Sequence, residues 1–163
     1  MKSVLIAFVV TASLLLIATG LVGSMVDGPA YFDHHFAMGL VTALFVCLGH
    51  VAVFTYFMAT GKMIKLAVED AALPVELFER ARRDKERAFR AVMAGIILVL
   101  SAALSGGWVT YRPEWSRLHL VMVLAASAGQ LAVWWIEFDA VSGNGRLMDE
   151  VFDRHARIKE SRR

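Results

Sequence analysis

The sequence predicts an all-α integral membrane protein: four transmembrane helices in an up-down bundle, a projecting cytoplasmic helical hairpin, and an amphipathic C-terminal helix. Three observations lead there. The 163 residues are 58% hydrophobic with a mean hydropathy of +0.57, too apolar for a domain that must turn a polar shell to water. Four segments, at about residues 4–25, 35–60, 91–109 and 118–136, are each long enough to span hydrocarbon at roughly 1.5 Å per residue. The basic residues are also segregated. Lys2, eight between Lys62 and Arg90 and six from Arg146 onward lie on one side of the four spans, against Arg112 and Arg117 on the other. The positive-inside rule then puts both termini and the long loop in the cytoplasm. The whole chain, 1–163, reads as one membrane domain.

The first span, VLIAFVVTASLLLIATGLVGSM, carries no charge and is longer than the apolar region of a signal peptide, so it is expected to stay as a helix rather than be cleaved. VDGPAYFD, with Gly28, Pro29, Tyr31 and Phe32, predicts a short turn at the membrane interface. The second span runs from about His35 to Thr60 and should continue past the bilayer through GKMIKLAVEDAAL. A new helix is expected near Pro74, whose missing N–H costs nothing in a first helical turn. ELFERARRDKERAFR then leads without a breaker into the third span, so residues 61–90 form the hairpin. Glu76 with Arg80, Glu79 with Arg83 and Glu86 with Arg90 are spaced i, i+4, as on an exposed helix. TYRPEWSR is a short outer loop with Tyr111 and Trp115 as interfacial anchors. The fourth span ends at Trp134 and Trp135, ahead of Glu137 and Asp139. After a flexible VSGNG, the tail within 137–163 spaces Leu147, Val151 and Ile158 among charges, which predicts an amphipathic helix on the membrane surface or on a partner.

The histidines are the candidate site residues. His50 interrupts an apolar span, where an ionisable group is costly and so a functional candidate. Its bland alternative is a neutral imidazole bonded to Gln130, Ser101 or a backbone carbonyl as helix glue. His35 and His50 lie about 60° apart around one helix, and both can face the bundle interior. Gly39, Thr42 and Gly49 fall near that stripe and allow a helix or a flat cofactor to come close. His119 opens the fourth span at the depth of His35. Two neutral imidazoles there suit the axial positions of a haem b iron, or a metal ion shared with Asp33 or Glu114. Near the water boundary histidines are also ordinary polar residues. Cys47, one turn from His50, reads as packing, since a thiolate needs a wet, electropositive niche. Gln130 and the run SAALSGG read as helix-contact positions.

In its four spans and the depth of two histidines, the chain resembles the four-helix, bis-histidine membrane cytochromes that serve as quinone-reactive or electron-relay subunits. It departs from their two-haem pattern. An inner haem on His50 would want a ligand near Val133 or Trp134, and neither can bind iron, so one haem per chain is the ceiling unless two chains share His50.

Two functions follow as expectations. The first is a non-catalytic membrane subunit or scaffold of a larger complex, in contact with lipid and with other subunits or copies of itself. The second is a single-haem b subunit passing electrons, with His35 and His119 as axial ligands and His50 near a quinone or a shared haem. No enzyme site is expected, because no Ser, Cys or Asp stands beside a positioned base. A net charge of +2 gives no reason to invoke nucleic acid. The compact loops suggest a bacterial inner membrane.

Overall fold

The computed structural model describes residues 1–26 and 29–161. They form four helices: α1 (Lys2–Ser24), α2 (Pro29–Ala71), α3 (Val75–Val109) and α4 (Ser116–Ser161), with a single 3-10 turn, Pro113–Trp115, leading into α4. All four are long and apolar enough to cross a membrane. The helices run alternately up and down. Each packs on the next in sequence, and α4 also meets α1 and α2, which closes the bundle. The basal end holds the α2–α3 turn and the last turns of α4, and α1 begins above them, near the level of Phe57. The far end holds the α1–α2 connection and the loop before α4.

Helices α2, of 43 residues, and α4, of 46, are about twice the roughly 20 residues that cross hydrocarbon. α2 runs through GKMIKLAVEDA, and α3 through ERARRDKER into its apolar half, without a break, as the sequence leads one to expect. α2 starts at Pro29, earlier than the predicted His35, so Tyr31 and Phe32 stand on its first turns instead of in a loop. The glycine of the expected interfacial turn, Gly28, lies outside the described residues.

The α2–α3 turn is built by backbone hydrogen bonds. Ala72 takes φ 50°, and the Leu73 N–H reaches back to the Val68 carbonyl at 2.9 Å, as in a Schellman stop. Leu73 joins Val68 in the adjacent core, and Pro74 then caps α3.

Three apolar layers stack along the basal two thirds. The lowest joins Ile64, Ala67 and Val68 of α2 with Leu77 and Ala81 of α3 and Leu147 and Val151 of α4. Above it, Leu5, Val53, Phe57, Ala88, Val92, Ala140 and Val141 draw in all four helices. The third contains Ala12, Ala43, Val46, Val99 and Trp134.

The C-terminal segment differs from expectation. VSGNG is neither flexible nor a linker, because α4 continues through it. Asn144 is fully buried and donates to Thr60 Oγ1 at 2.9 Å and Tyr56 OH at 3.2 Å. A Cβ on Gly143 would come within 3.3 Å of Asp84 Oδ2, so glycine spares that carboxyl a shift of a few tenths of an ångström where α3 and α4 meet. These contacts override the weak helix propensity of Ser, Gly and Asn. The tail therefore buries its apolar stripe on the α2–α3 hairpin of its own chain.

The charge pairing differs too. The i, i+4 pairs that form include Lys65–Glu69, Arg82–Glu86 and Glu150–Arg154. Arg80 crosses to Glu150 on α4 at 3.1 Å and Arg87 to Asp139 at 2.7 Å. Exposed pairs of this kind contribute little to stability; they mark the α3–α4 seam.

Leu147→Ala should lower unfolding stability by about 2–4 kcal/mol, the usual cost of emptying a buried leucine site. A tail lying loose on a surface would leave the thermal midpoint unchanged. Ala72→Gly should raise stability by about 0.5–1 kcal/mol, since glycine takes the left-handed φ without the Cβ clash. Denaturant or thermal unfolding in detergent reads both.

Candidate functional site

Two polar constellations interrupt the apolar interior, one at the far end and one between the second and third layers. His35 on α2 and His119 on α4 are brought together at the far end, their ring centroids 6.2 Å apart and their planes at 70°. The hydrogen bonds settle their tautomers. His35 Nδ1 lies 3.1 Å from the Thr19 carbonyl oxygen, which can only accept, so Nδ1 carries the proton. Ser105 donates its hydroxyl proton to the Ala102 carbonyl at 2.7 Å and stands 3.0 Å from His119 Nδ1. That leaves Ser105 Oγ to accept, so His119 also carries its proton on Nδ1. In the neutral form both Nε2 atoms keep a lone pair.

Glycines make room for these rings. A Cβ on Gly23 would fall 2.6 Å from His35 Cε1, and one on Gly106 2.9 Å from His119 Cε1. The small-residue run SAALSGG thus serves as a seat for His119. Thr42 bonds Thr19 at 2.8 Å one level below, tying α2 to α1. No group of three metal-ligand side chains occurs among the described residues. Glu114 pairs with Arg112 at 3.5 Å and Asp33 is exposed, so neither joins the two histidines.

The second constellation centres on His50, which is 0% exposed. Its Nε2 lies 3.0 Å from Gln130 Oε1, and Gln130 Nε2 donates to the Gly95 carbonyl at 2.7 Å. The Gly95 carbonyl orients the amide with its oxygen toward His50, so His50 Nε2 is the donor. His50 Nδ1 stands 2.7 Å from Glu137 Oε1. Two bare acceptors would repel at that distance, so one proton lies between them. The pair is either imidazole with a carboxylic acid or imidazolium with a carboxylate, and is neutral overall in both. Burying the two together avoids the large cost of an isolated charge.

Close helix approach is a condition of this geometry. A Cβ on Gly95 would come 2.4 Å from His50 Nε2 and 3.0 Å from Val133 Cγ1. Glu137 Oε2 is buried and has no hydrogen-bond partner among the described residues. It borders a cavity of about 10 Å³ with Phe8 and Val9 of α1 and Gly49 of α2, room for about one water.

His50 bonds Gln130, one of the partners expected of it, and its depth opposite Val133 and Trp134 is as read from the sequence. Glu137 was missed because it follows Trp134 and Trp135 at the end of an apolar run, where a carboxylate reads as the first solvated residue. Gln130 and Glu137 are seven residues apart on one helical face, and that spacing was the available signal. Both ring nitrogens of His50 are engaged, so binding iron there would break one of these bonds. Cys47 is a free thiol packed beside the third layer.

In comparisons with known protein families, curated proteins and solved structures, no match to the chain was found.

Glu137→Leu should destabilise by about 3–5 kcal/mol, the cost of orphaning one member of a buried pair. His50→Leu together with Glu137→Leu should cost clearly less than the two single losses added. A double-mutant cycle in unfolding measures this coupling; strict additivity would mean that the contact is not energetically real.

Proposed function

We propose that this chain is a four-span, non-catalytic subunit or scaffold of a larger membrane complex. The observation that carries the membrane part is the unbroken apolar surface of the bundle. Leu118, Leu120, Val121, Leu124 and Leu131 are exposed on α4 between exposed Trp115 and Trp135, which lie about 30 Å apart along the helix axis, the thickness of a hydrocarbon layer. Tryptophans at both edges of such a band suit the two interfaces. The basic excess of the hairpin and tail supports a reading with the termini and the α2–α3 hairpin on the cytoplasmic side of a bacterial inner membrane.

The subunit role rests on where the core stops. Beyond Ala12, Thr42, Ala102 and Ala126 toward the far end, no described residue is buried. Helices that bury so little against each other offer their faces to another component, and small residues favour close helix contact in lipid. The basal two thirds, with its three packed layers, is self-sufficient by contrast.

A second reading, a single-haem b electron-transfer subunit, is favoured by the His35–His119 pair. His35 and His119, whose rings stand 6.2 Å apart on neighbouring helices, would be the two residues that hold the iron. Thr19 and Ser105 would fix the Nδ1 tautomers and leave Nε2 for iron, the supporting hydrogen bonds that metal-bound histidines use. A haem held there would supply one-electron transfer between ferrous and ferric iron. Gly23 and Gly106 would then set how near the helices come to the two ligands.

Purification from haem-replete membranes in mild detergent tests both readings. The subunit reading expects co-purifying proteins or a defined self-assembly; a monomer without partners overturns it. The haem reading expects a sharp α band in the reduced-minus-oxidised spectrum that His35→Ala and His119→Ala each abolish while Cys47→Ala does not. A colourless protein overturns it.

A further inference from the structure

Neither reading uses the groove at the basal seam of α3 and α4. It is an open groove of about 380 Å³, within the range of small-ligand sites, roughly 300–1,000 Å³. Arg80, Arg83 and Asp84 line it from α3, and Asp139, Arg146 and Glu150 from α4. The α3 residues share a face because positions 80, 83, 84 and 87 recur at three- and four-residue steps. Gly143 of α4 sits against Asp84, whose Oδ2 a Cβ would approach to 3.3 Å.

The charges in the groove are unequally committed. Arg80 is paired with Glu150, and Arg87 just above is paired with Asp139. Arg83 and Arg146 have no carboxylate within ion-pair distance among the described residues. The two α4 carboxylates that line the groove are thus already paired, and two guanidinium groups from two helices remain to face it. Asp84 is the remaining acid. Its burial pushes the carboxyl above its ordinary value, with Asp139 adding to the rise and Arg80, Arg87 and Arg83 pulling the other way.

We propose that this groove binds a phosphate-bearing anion through Arg83 and Arg146. The planar guanidinium presents paired donors that match phosphate oxygens, and it stays charged at every working pH. In its protonated form Asp84 adds a donor rather than a repelling charge. The proposal rests on the membrane reading only for the anion's source. In that reading the groove opens on the cytoplasmic side just below the Arg87–Asp139 pair, within reach of lipid headgroups; a free phosphate offers the same chemistry.

The test compares the full chain in phosphatidylcholine nanodiscs, in nanodiscs containing phosphatidylglycerol, and in phosphatidylcholine nanodiscs titrated with inorganic phosphate, with the thermal midpoint as readout. Binding to the folded state should raise the midpoint in at least one arm. A rise with phosphatidylglycerol alone assigns a lipid headgroup; a rise with inorganic phosphate assigns a soluble ligand. Arg83→Gln with Arg146→Gln should lower apparent affinity by about tenfold or more, the scale of lost charge-assisted hydrogen bonds. Arg82→Gln, whose side chain pairs with Glu86 outside the groove, should leave it unchanged. In the lipid arm the rise should shrink as pH increases through the Asp84 titration. Arg80, Arg83, Arg87 and Arg146 stay charged at every working pH, and Asp84→Asn should remove the trend, which separates it from any contribution of the other carboxylates facing the groove, Asp139 and Glu150. No rise in either arm, or an equal rise in the double variant, overturns the site. Alkaline carbonate extraction checks the membrane reading separately. A chain released by it would be titrated with phosphate in aqueous buffer, so the groove remains testable if that reading fails.

Discussion

The 2.7 Å contact between His50 and Glu137 sets terms that the rest of the bundle has to meet. Two ionisable side chains, neither exposed to solvent, are tolerable only as a neutral pair with one shared proton, because either charge alone would carry a desolvation cost far above any packing gain. Satisfying the other ring nitrogen takes Gln130, and satisfying Gln130 takes the backbone of Gly95. The chain of bonds therefore runs from α2 to α4 to α3 and holds those helices in one register. Any rotation of α4 large enough to move Glu137 would also pull Gln130 from Gly95. Apolar layers on both sides, one built on Val53, Phe57 and Val92 and the other on Val46, Val99 and Trp134, shield these bonds from competing water. Specification of register is the best-attested use of buried polar groups.

Away from that node the bundle divides in two. Toward the base, side chains interlock in three layers, and Asn144, Tyr56 and Thr60 add a second hydrogen-bonded crossing between α4 and α2. Toward the far end, order comes from polar contacts between small residues: Thr19 with Thr42, His35 with the Thr19 carbonyl, and His119 with Ser105. In the bilayer we propose, such contacts are worth only about 1 kcal/mol each. The far end is thus the half whose packing depends most on what joins it. The basal half, where the α3–α4 seam presents Arg83 and Arg146, is built to stay as it is. A well-packed base and a far end open to completion are what the subunit reading we propose expects; an enzyme would need its reactive groups locked by the fold itself.

How far the sequence reaches is clearest from particular residues. The helices and the unbroken continuation of α2 and α3 beyond their apolar spans were legible, because hydropathy and the absence of a proline or a glycine cluster are local properties. The common depth of His35 and His119 was legible as well, since antiparallel helices joined by short loops fix depth by simple counting. The same counting set His50 at the depth of Val133 and Trp134, and its two partners, Gln130 and Glu137, lie on either side of that level. The helicity of VSGNG was not legible. Its propensity favours a break, and only the approach of Asp84 to Gly143 and the bonding of Asn144 overrule it. Nor were the cross-helix pairs Arg80–Glu150 and Arg87–Asp139. Residues at i, i+4 are neighbours in any helix, whereas partners on another helix are decided by how the two pack.

The sequence by itself determined four long apolar helices, the end of the molecule that carries the positive charge, and the presence of one costly histidine inside. These depend on composition and on distances along one chain direction. Tertiary structure alone decided that Glu137 turns inward to share a proton with His50, that the tail folds onto its own hairpin, and that Arg83 and Arg146 face one groove. Each of these depends on the rotation of one helix about its axis relative to another. That angle is set jointly by side chains far apart in the chain, and no local pattern encodes it.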